Sequence, residues 1–125
     1  TTFAENHFVM TPMDMGLRIG GAVEFAGLNA PPNYARSKAL IKLAQNYLPN
    51  LRTEDGIEWM GHRPSTPDSL PVIDRSPNHR NIYYAFGHGH LGLTGSATTG
   101  RIIANLARNC VLGIDLKPFR INRFD

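Results

Sequence analysis

Leu17, Ile19, Val23 and Phe25 alternate with Arg18, Gly20, Ala22 and Glu24. A period of two over residues 17–25 predicts a strand with one face on a core. Residues 7–10, running up to Thr11-Pro12, predict a shorter strand ahead of it, and the two suggest a hairpin. Beyond the breaker Ala30-Pro31-Pro32-Asn33, residues 34–48 place Ala39, Leu40, Leu43, Ala44, Tyr47 and Leu48 on one side at helical spacing. Arg36, Lys38, Lys42 and Gln45 fall mostly opposite, so the segment predicts an amphipathic helix that covers the sheet and stops at Pro49. Ile57-Glu58-Trp59-Met60 predicts another strand. Between 61 and 81, Pro64, Pro67, Pro71 and Pro77 stand among Ser, Thr, Asp and Asn, so regular structure there is expected to be brief. Ile82-Tyr83-Tyr84-Ala85-Phe86 predicts a buried strand, followed by a glycine-rich turn from Gly87 to Gly95. A second helix is expected over 96–109, with Ile102, Ile103, Leu106 and Ala107 inward, and the tail keeps Phe119, Ile121 and Phe124 able to pack. The sum is an α+β fold: a small, mainly antiparallel sheet with two principal helices.

A chain of 125 residues is one domain's worth of sequence. Apolar residues at 42% and charged residues at 18% argue against long disorder. Thirteen Lys and Arg against ten Asp and Glu leave +3 with no basic block, so nucleic acid is not expected as a partner. The single cysteine, Cys110, excludes an internal disulfide framework and a cysteine-rich zinc module, and is compatible with a reducing compartment. No apolar run approaches the roughly 18 residues of a membrane helix. The first residues, Thr1-Thr2-Phe3-Ala4-Glu5-Asn6, lack signal-peptide character and do not begin with Met, which raises the expectation of a piece from the end of a longer protein.

The turn Gly87-His88-Gly89-His90-Leu91-Gly92 fits G-x-G-x-x-G between an expected strand and an expected helix. Glycines let a backbone approach a ligand closely, and the first N–H groups of a helix lack internal partners and carry partial positive charge. Something electron-rich is therefore expected there. A dinucleotide-binding βα turn is one reading, with Asp115 after a short strand at 111–114 as the ribose acid. It fails because only ten residues follow Asp115, too few for the further βαβ units of such a sheet. A metal site using His88 and His90, with His62 and His79 upstream, is an alternative, since i and i+2 side chains share a face in an extended segment. A small anion-binding module using the Gly87–Gly92 turn is another. His62-Arg63-Pro64 follows the expected 57–60 strand, and an arginine in a proline-stiffened loop beside apolar residues suits bidentate capture of a carboxylate.

Taken together, Trp59-Met60-Gly61-His62-Arg63-Pro64-Ser65-Thr66-Pro67-Asp68-Ser69-Leu70-Pro71-Val72-Ile73 and Gly87-His88-Gly89-His90-Leu91-Gly92-Leu93-Thr94 resemble the C-terminal end of FAD-dependent amino-acid oxidoreductases. The likeness is strongest to bacterial D-amino acid dehydrogenases of the D-amino acid oxidase superfamily. Upstream, Met10-Thr11-Pro12-Met13-Asp14-Met15-Gly16-Leu17-Arg18-Ile19-Gly20-Gly21 and the Ala30-Pro31-Pro32 turn are similar to the strand pair of that family's substrate domain. The resemblance covers roughly residues 8–124.

The resemblance implies a partial, C-terminal piece of a two-domain flavoprotein, with strands and helix of the substrate domain in 1–60 and a flavin-contacting segment and last helix in 61–125. It assigns Arg63 and His90 to the amino-acid substrate, Arg63 taking the carboxylate, with His90 at a position that varies among relatives. It assigns Gly61, Arg63, Gly89, His90, Leu91, Gly92, Leu93 and Thr94 to FAD, with helix-end N–H groups facing the ring edge where the reduced flavin is negative. No metal ligand is assigned. Glu24 and Tyr84 are candidate neighbours of the pocket, though sheet packing accounts for Tyr84 more simply. The implied activity is oxidation of amino acids, D-amino acids by analogy, to imino and then 2-oxo acids. The nucleotide-binding N-terminal half is the expected partner, and without it the chain is expected to be inactive, to hold FAD weakly and to self-associate through exposed apolar surface. The expected location is the cytoplasm or the cytoplasmic face of a bacterial inner membrane.

Overall fold

The computed structural model describes residues 1–125 and divides the chain into two units, Thr1–Gly61 and His62–Asp125. In the first, β1 (Thr2–Phe3), β2 (Phe8–Met13) and β3 (Gly16–Gly20) form an antiparallel sheet in that order. β2 alternates as a half-buried strand must, with Phe8 and Met10 buried and Val9 and Thr11 exposed. Pro12 is tolerated because β1 reaches only Phe8 and Val9, which leaves β2 an edge strand at that point. The helix α1 (Ala35–Tyr47) buries Ala44 against Phe8 and Met10, with Leu40, Leu43, Ile19 and Phe3 around them. Phe3 stacks on Phe8 at 4.6 Å between ring centroids, and Tyr47 tilts against both. Pro49 lies two residues beyond the helix end, as its missing N–H predicts.

The strand expected over 17–25 stops at Gly20. The register pairs Val9 with Gly20, so the next position faces the first residue of β2 and no partner strand remains beyond it. Gly21 instead crosses close over that strand start, where a Cβ would lie 2.5 Å from the His7 carbonyl oxygen. Val23 and Phe25 continue the sequence alternation but are exposed. Residues 57–60 likewise form no strand: they have no ladder partner, Glu58 accepts a hydrogen bond from Ser37, and Ile57 and Trp59 are exposed. The Arg18 guanidinium lies over the Trp59 ring at 5.2 Å.

In the second unit, β4 (Val72–Arg75) pairs antiparallel with β5 (Tyr83–Phe86), Val72 opposite Phe86 and Arg75 opposite Tyr83. The expected antiparallel architecture is thus split into two small sheets. β4 falls inside the proline-rich stretch, where Val72 and Ile73 are buried. The buried Ser76 hydroxyl accepts the Asn78 and His79 N–H groups and closes the loop to β5. The helix α2 (Gly92–Ala107) packs on both strands and buries Ile102 and Thr99. It begins four residues earlier than expected. It ends two residues earlier because Asn109, at φ +53°, breaks it: the Asn109 N–H donates to Leu106 and the Cys110 N–H to Asn105, a left-handed cap closing the last turn. Arg75 ties β4 to that end through the Leu106 carbonyl at 2.5 Å and Asn109 Oδ1 at 2.9 Å. Residues 111–114 form no strand. Two short 3-10 helices, Lys117–Phe119 and Ile121–Phe124, pack on β4, where the Ile121 N–H donates to Asp74 Oδ2 at 3.1 Å. No helix is long and apolar enough to cross a membrane.

Candidate functional site

The chemistry-bearing residues of the second unit converge where β5 hands over to α2. Leaving β5, the chain turns through Gly87 at φ +77° and Gly89 at φ +56°, conformations costly for residues with a Cβ. Gly87 has a second constraint, since a Cβ there would lie 2.6 Å from Thr66 Cγ2. Its smallness lets the 62–71 loop lie directly against the turn. The Gly89 N–H donates to the Pro64 carbonyl at 2.8 Å, and Ser65 and His88 form an isolated antiparallel bridge. The residue after Arg63 is therefore hydrogen-bonded to the glycine turn, although 25 positions separate Pro64 from Gly89 in sequence.

The turn delivers the chain into α2 with its first N–H groups unclaimed. Leu91 is the N-cap residue, no side chain caps the helix, and its first turn holds no acidic residue. The amides of Gly92, Leu93 and Thr94 lie at the positive end of the helix with no intrahelical acceptors. Leu91 and Leu93 are exposed beside them, at 55% and 91%. Exposed apolar side chains next to uncapped donors suit a flat, largely apolar group with an electron-rich edge. These residues fit a flavin ring on those grounds.

The two histidines part company. His88 is half-buried, its Nε2 3.0 Å from the Thr99 hydroxyl inside α2, whereas His90 is exposed. The positive φ of Gly89 takes the segment out of the extended geometry in which i and i+2 side chains share a face. No group of three or more His, Cys, Asp or Glu is placed to hold a metal ion. An open hollow of about 430 Å³ runs along this side of α2, lined by Ala85, His88, Gly92, Ser96, Thr99, Gly100 and Ile103.

Arg63 is exposed, and the chain's one ion pair does not involve it, so its guanidinium is free for a carboxylate from outside. That ion pair joins Arg123 to Asp68. Arg123 Nε donates to Asp68 Oδ2 at 2.7 Å and Nη2 to Oδ1 at 3.0 Å, a fork on both carboxylate oxygens. The Arg123 hydrogen bonds, helped by the Leu70 N–H, hold the Asp68 carboxyl well below its ordinary value of 3.8.

Of the residues expected at a cofactor or substrate, the structure brings together Arg63, by way of Pro64, with Gly89, His90, Leu91, Gly92, Leu93 and Thr94. Gly61 belongs to the other unit, exposed, with the Trp59 ring 3.3 Å from where a Cβ would be. Sequence reasoning missed Thr66, Thr99 and Arg123. Thr66 had a signal in its proline-framed motif, whereas Arg123 lies 55 residues from Asp68 and had none.

Residues 1–106 match the family model described as FAD dependent oxidoreductase. The chain is 46% identical over 113 residues to a D-amino-acid oxidase of Bradyrhizobium diazoefficiens, a match covering 87% of the chain and 27% of that protein. It is 36% identical over 121 residues to a D-amino acid dehydrogenase of Paramagnetospirillum magneticum, covering 96% of the chain and 28% of the relative. Among solved structures it resembles glycine oxidase from Geobacillus kaustophilus with a TM-score of 0.72 and 27% identity, over 95% of this chain and 33% of the other. The chain thus spans little more than a quarter of the length of the two enzymes matched by sequence.

Proposed function

The chain belongs to the family of FAD dependent oxidoreductases, and from that premise we propose that it is the C-terminal part of an enzyme oxidising amino acids, D-amino acids in particular, to imino acids that water hydrolyses to 2-oxo acids. FAD, when bound, supplies the redox chemistry by accepting the hydride from the substrate Cα. Arg63 binds the substrate carboxylate as a bidentate pair and fixes the orientation of the Cα–H bond. The amides of Gly92, Leu93 and Thr94 donate to the electron-rich edge of the ring and stabilise negative charge there without reorganisation. Leu91 and Leu93, exposed beside those amides, would cover apolar ring surface, and the exposed His90 would contact the substrate. Residues 1–60 contribute substrate-domain strands and helix, and residues 61–125 the flavin-contacting segment.

One observation carries this reading: the Gly89 N–H to Pro64 carbonyl bond at 2.8 Å, which ties the arginine loop to the turn that opens α2. In the full-length parent, Arg63→Ala is expected to raise KM steeply while FAD content stays intact, the pattern of a lost binding contact. An unchanged KM removes Arg63 from the role.

We place the parent among the dehydrogenases, the class named for the Paramagnetospirillum relative, whose alignment covers 96% of the chain at 36% identity. Stoichiometric hydrogen peroxide during turnover would move it to the oxidases. The parent acts in the cytoplasm or at the cytoplasmic face of an inner membrane. By itself, a piece spanning little more than a quarter of these relatives' length is expected to hold FAD weakly and not to turn over. The hydrogen bonds left to the ring edge contribute only about 0.5–1.5 kcal/mol each.

A further inference from the structure

We propose that Arg123 is a positioning residue for substrate binding: the C-terminal 3-10 turn clamps the Thr66–Leu70 loop and thereby fixes where Arg63 presents its guanidinium. The proposal rests on the carboxylate role of Arg63 given above. The loop after Arg63 is held on two sides. On one, Pro64 and Ser65 are fastened to Gly89 and His88 of the glycine turn. On the other, Arg123 donates to both Asp68 oxygens and, through Nη2, to the Leu70 carbonyl at 2.6 Å.

Between these anchors the loop is tightly wound. The Thr66 hydroxyl donates to the Leu70 carbonyl at 2.7 Å, the Ser69 N–H to the Thr66 carbonyl at 3.1 Å, and the Leu70 N–H to Asp68 Oδ1 at 3.1 Å. Ser69 sits at φ +62°, an unfavourable conformation for a residue with a Cβ that relaxes unless neighbouring contacts enforce it. Arg123 is the one cation paired with this loop, and its side chain is only 11% exposed. Its own segment is anchored, since Arg123 Nη1 donates to the Arg120 carbonyl at 2.8 Å and the Ile121 N–H to Asp74 of β4. A continuous path of hydrogen bonds thus runs from β4 through the chain's end to the loop that carries the arginine. A single ion pair whose carboxylate is still about a third open to solvent adds little stability. A fork that also holds two backbone carbonyls defines position, which is what a bidentate carboxylate site needs.

The test uses the full-length flavoenzyme in four forms: wild type, Arg123→Ala, Asp68→Ala and the double variant, with Arg63→Ala in parallel. Acetate, a bare carboxylate, is titrated against flavin absorption, and KM, kcat, FAD content and amide exchange over residues 66–70 are measured. Arg123→Ala is expected to raise the acetate dissociation constant and KM about tenfold, to change kcat less than about twofold, to keep FAD, and to speed exchange at Ser69 and Leu70. The double variant is expected to be no worse than either single one, because both remove the same clamp. Unchanged acetate affinity in Arg123→Ala, or strictly additive effects, overturns the clamp, as does faster exchange with no change in KM, which marks a merely structural role. If Arg63→Ala itself leaves acetate binding unchanged, the carboxylate role falls. An effect at Arg63 with none at Arg123 refutes the clamp alone.

Discussion

At the scale of single residues, the two left-handed glycines separate strain from crowding. Gly87→Ala meets both, a positive φ and a Cβ 2.6 Å from Thr66 Cγ2, so a loss of about 2–4 kcal/mol is expected in urea unfolding. Gly89→Ala meets only the conformational cost, with Ser65 Oγ at 3.8 Å, and about 1–2 kcal/mol is expected. Equal losses would mean that the Thr66 contact yields freely. Asp68 allows a pH prediction with a definite sign. Its carboxyl is held below the ordinary 3.8, so its stabilisation is whole above that value and is lost as pH falls below it towards the lowered one. The melting-temperature difference between wild type and Asp68→Asn is expected to be constant from about pH 7 to 5 and to shrink in stronger acid. A difference that vanishes already near pH 6 would show that the pair is not formed. How legible this site was depended on where its parts lie. Arg63 and the glycine turn are short, compositionally distinctive stretches, whereas the Asp68–Arg123 pair joins distant positions and leaves no periodic trace.

At the scale of elements, α2 is finished at one end and left open at the other. Asn109 closes its C-terminus through a left-handed cap, yet Leu91 offers no acceptor to the N-terminal amides. Leu91→Asp is therefore expected to stabilise the isolated chain by about 1 kcal/mol through an N-cap carboxylate. In the parent the same substitution is expected to reduce FAD retention on gel filtration, because the new carboxylate occupies the donors proposed for the ring edge. Stabilisation without loss of FAD would separate that helix end from the cofactor. Helices were read from sequence more faithfully than strands, and for a physical reason. A helix closes its own hydrogen bonds, so the stripe of Leu40, Leu43 and Ala44 in α1 is enough to mark it. A strand needs a partner that its own pattern does not specify. Alternation through Phe25 ran past the point where β2 begins at Phe8, and Ile57–Met60 found no partner at all. β4 was the reverse case, four residues framed by Pro71 and Pro77 whose buried Val72 and Ile73 show no alternation. The start of α2 was missed because Gly92, Thr94 and Gly95 are poor helix formers.

At the scale of the whole molecule, burial is sparse for a chain of this length. Six apolar side chains are buried, shared between two units of about 60 residues each, a size at which burial is marginal. Much of the remaining apolar surface is exposed: Met15 at 94%, Phe25 at 97% and Ile57 at 88% in the first unit, Leu93 at 91% and Val111 at 94% in the second. Isolated exposed apolar residues are ordinary, but so many large ones at near-complete exposure suit surface that a larger protein covers. The relatives, of which this chain spans little more than a quarter, are consistent with that account. The isolated chain is therefore expected to self-associate, with a sedimentation-average mass that rises with concentration and a dye response typical of exposed apolar surface. Met15→Ser together with Phe25→Ser is expected to lower the association while leaving the helical circular dichroism unchanged, since neither side chain belongs to the core around Phe8 and Ala44. Co-expression with the N-terminal half of the parent is expected to suppress both signals in the unsubstituted chain and to restore FAD. A chain that stays monomeric at high concentration, binds no dye and gains nothing from the other half would show that these side chains are ordinary solvent-facing residues.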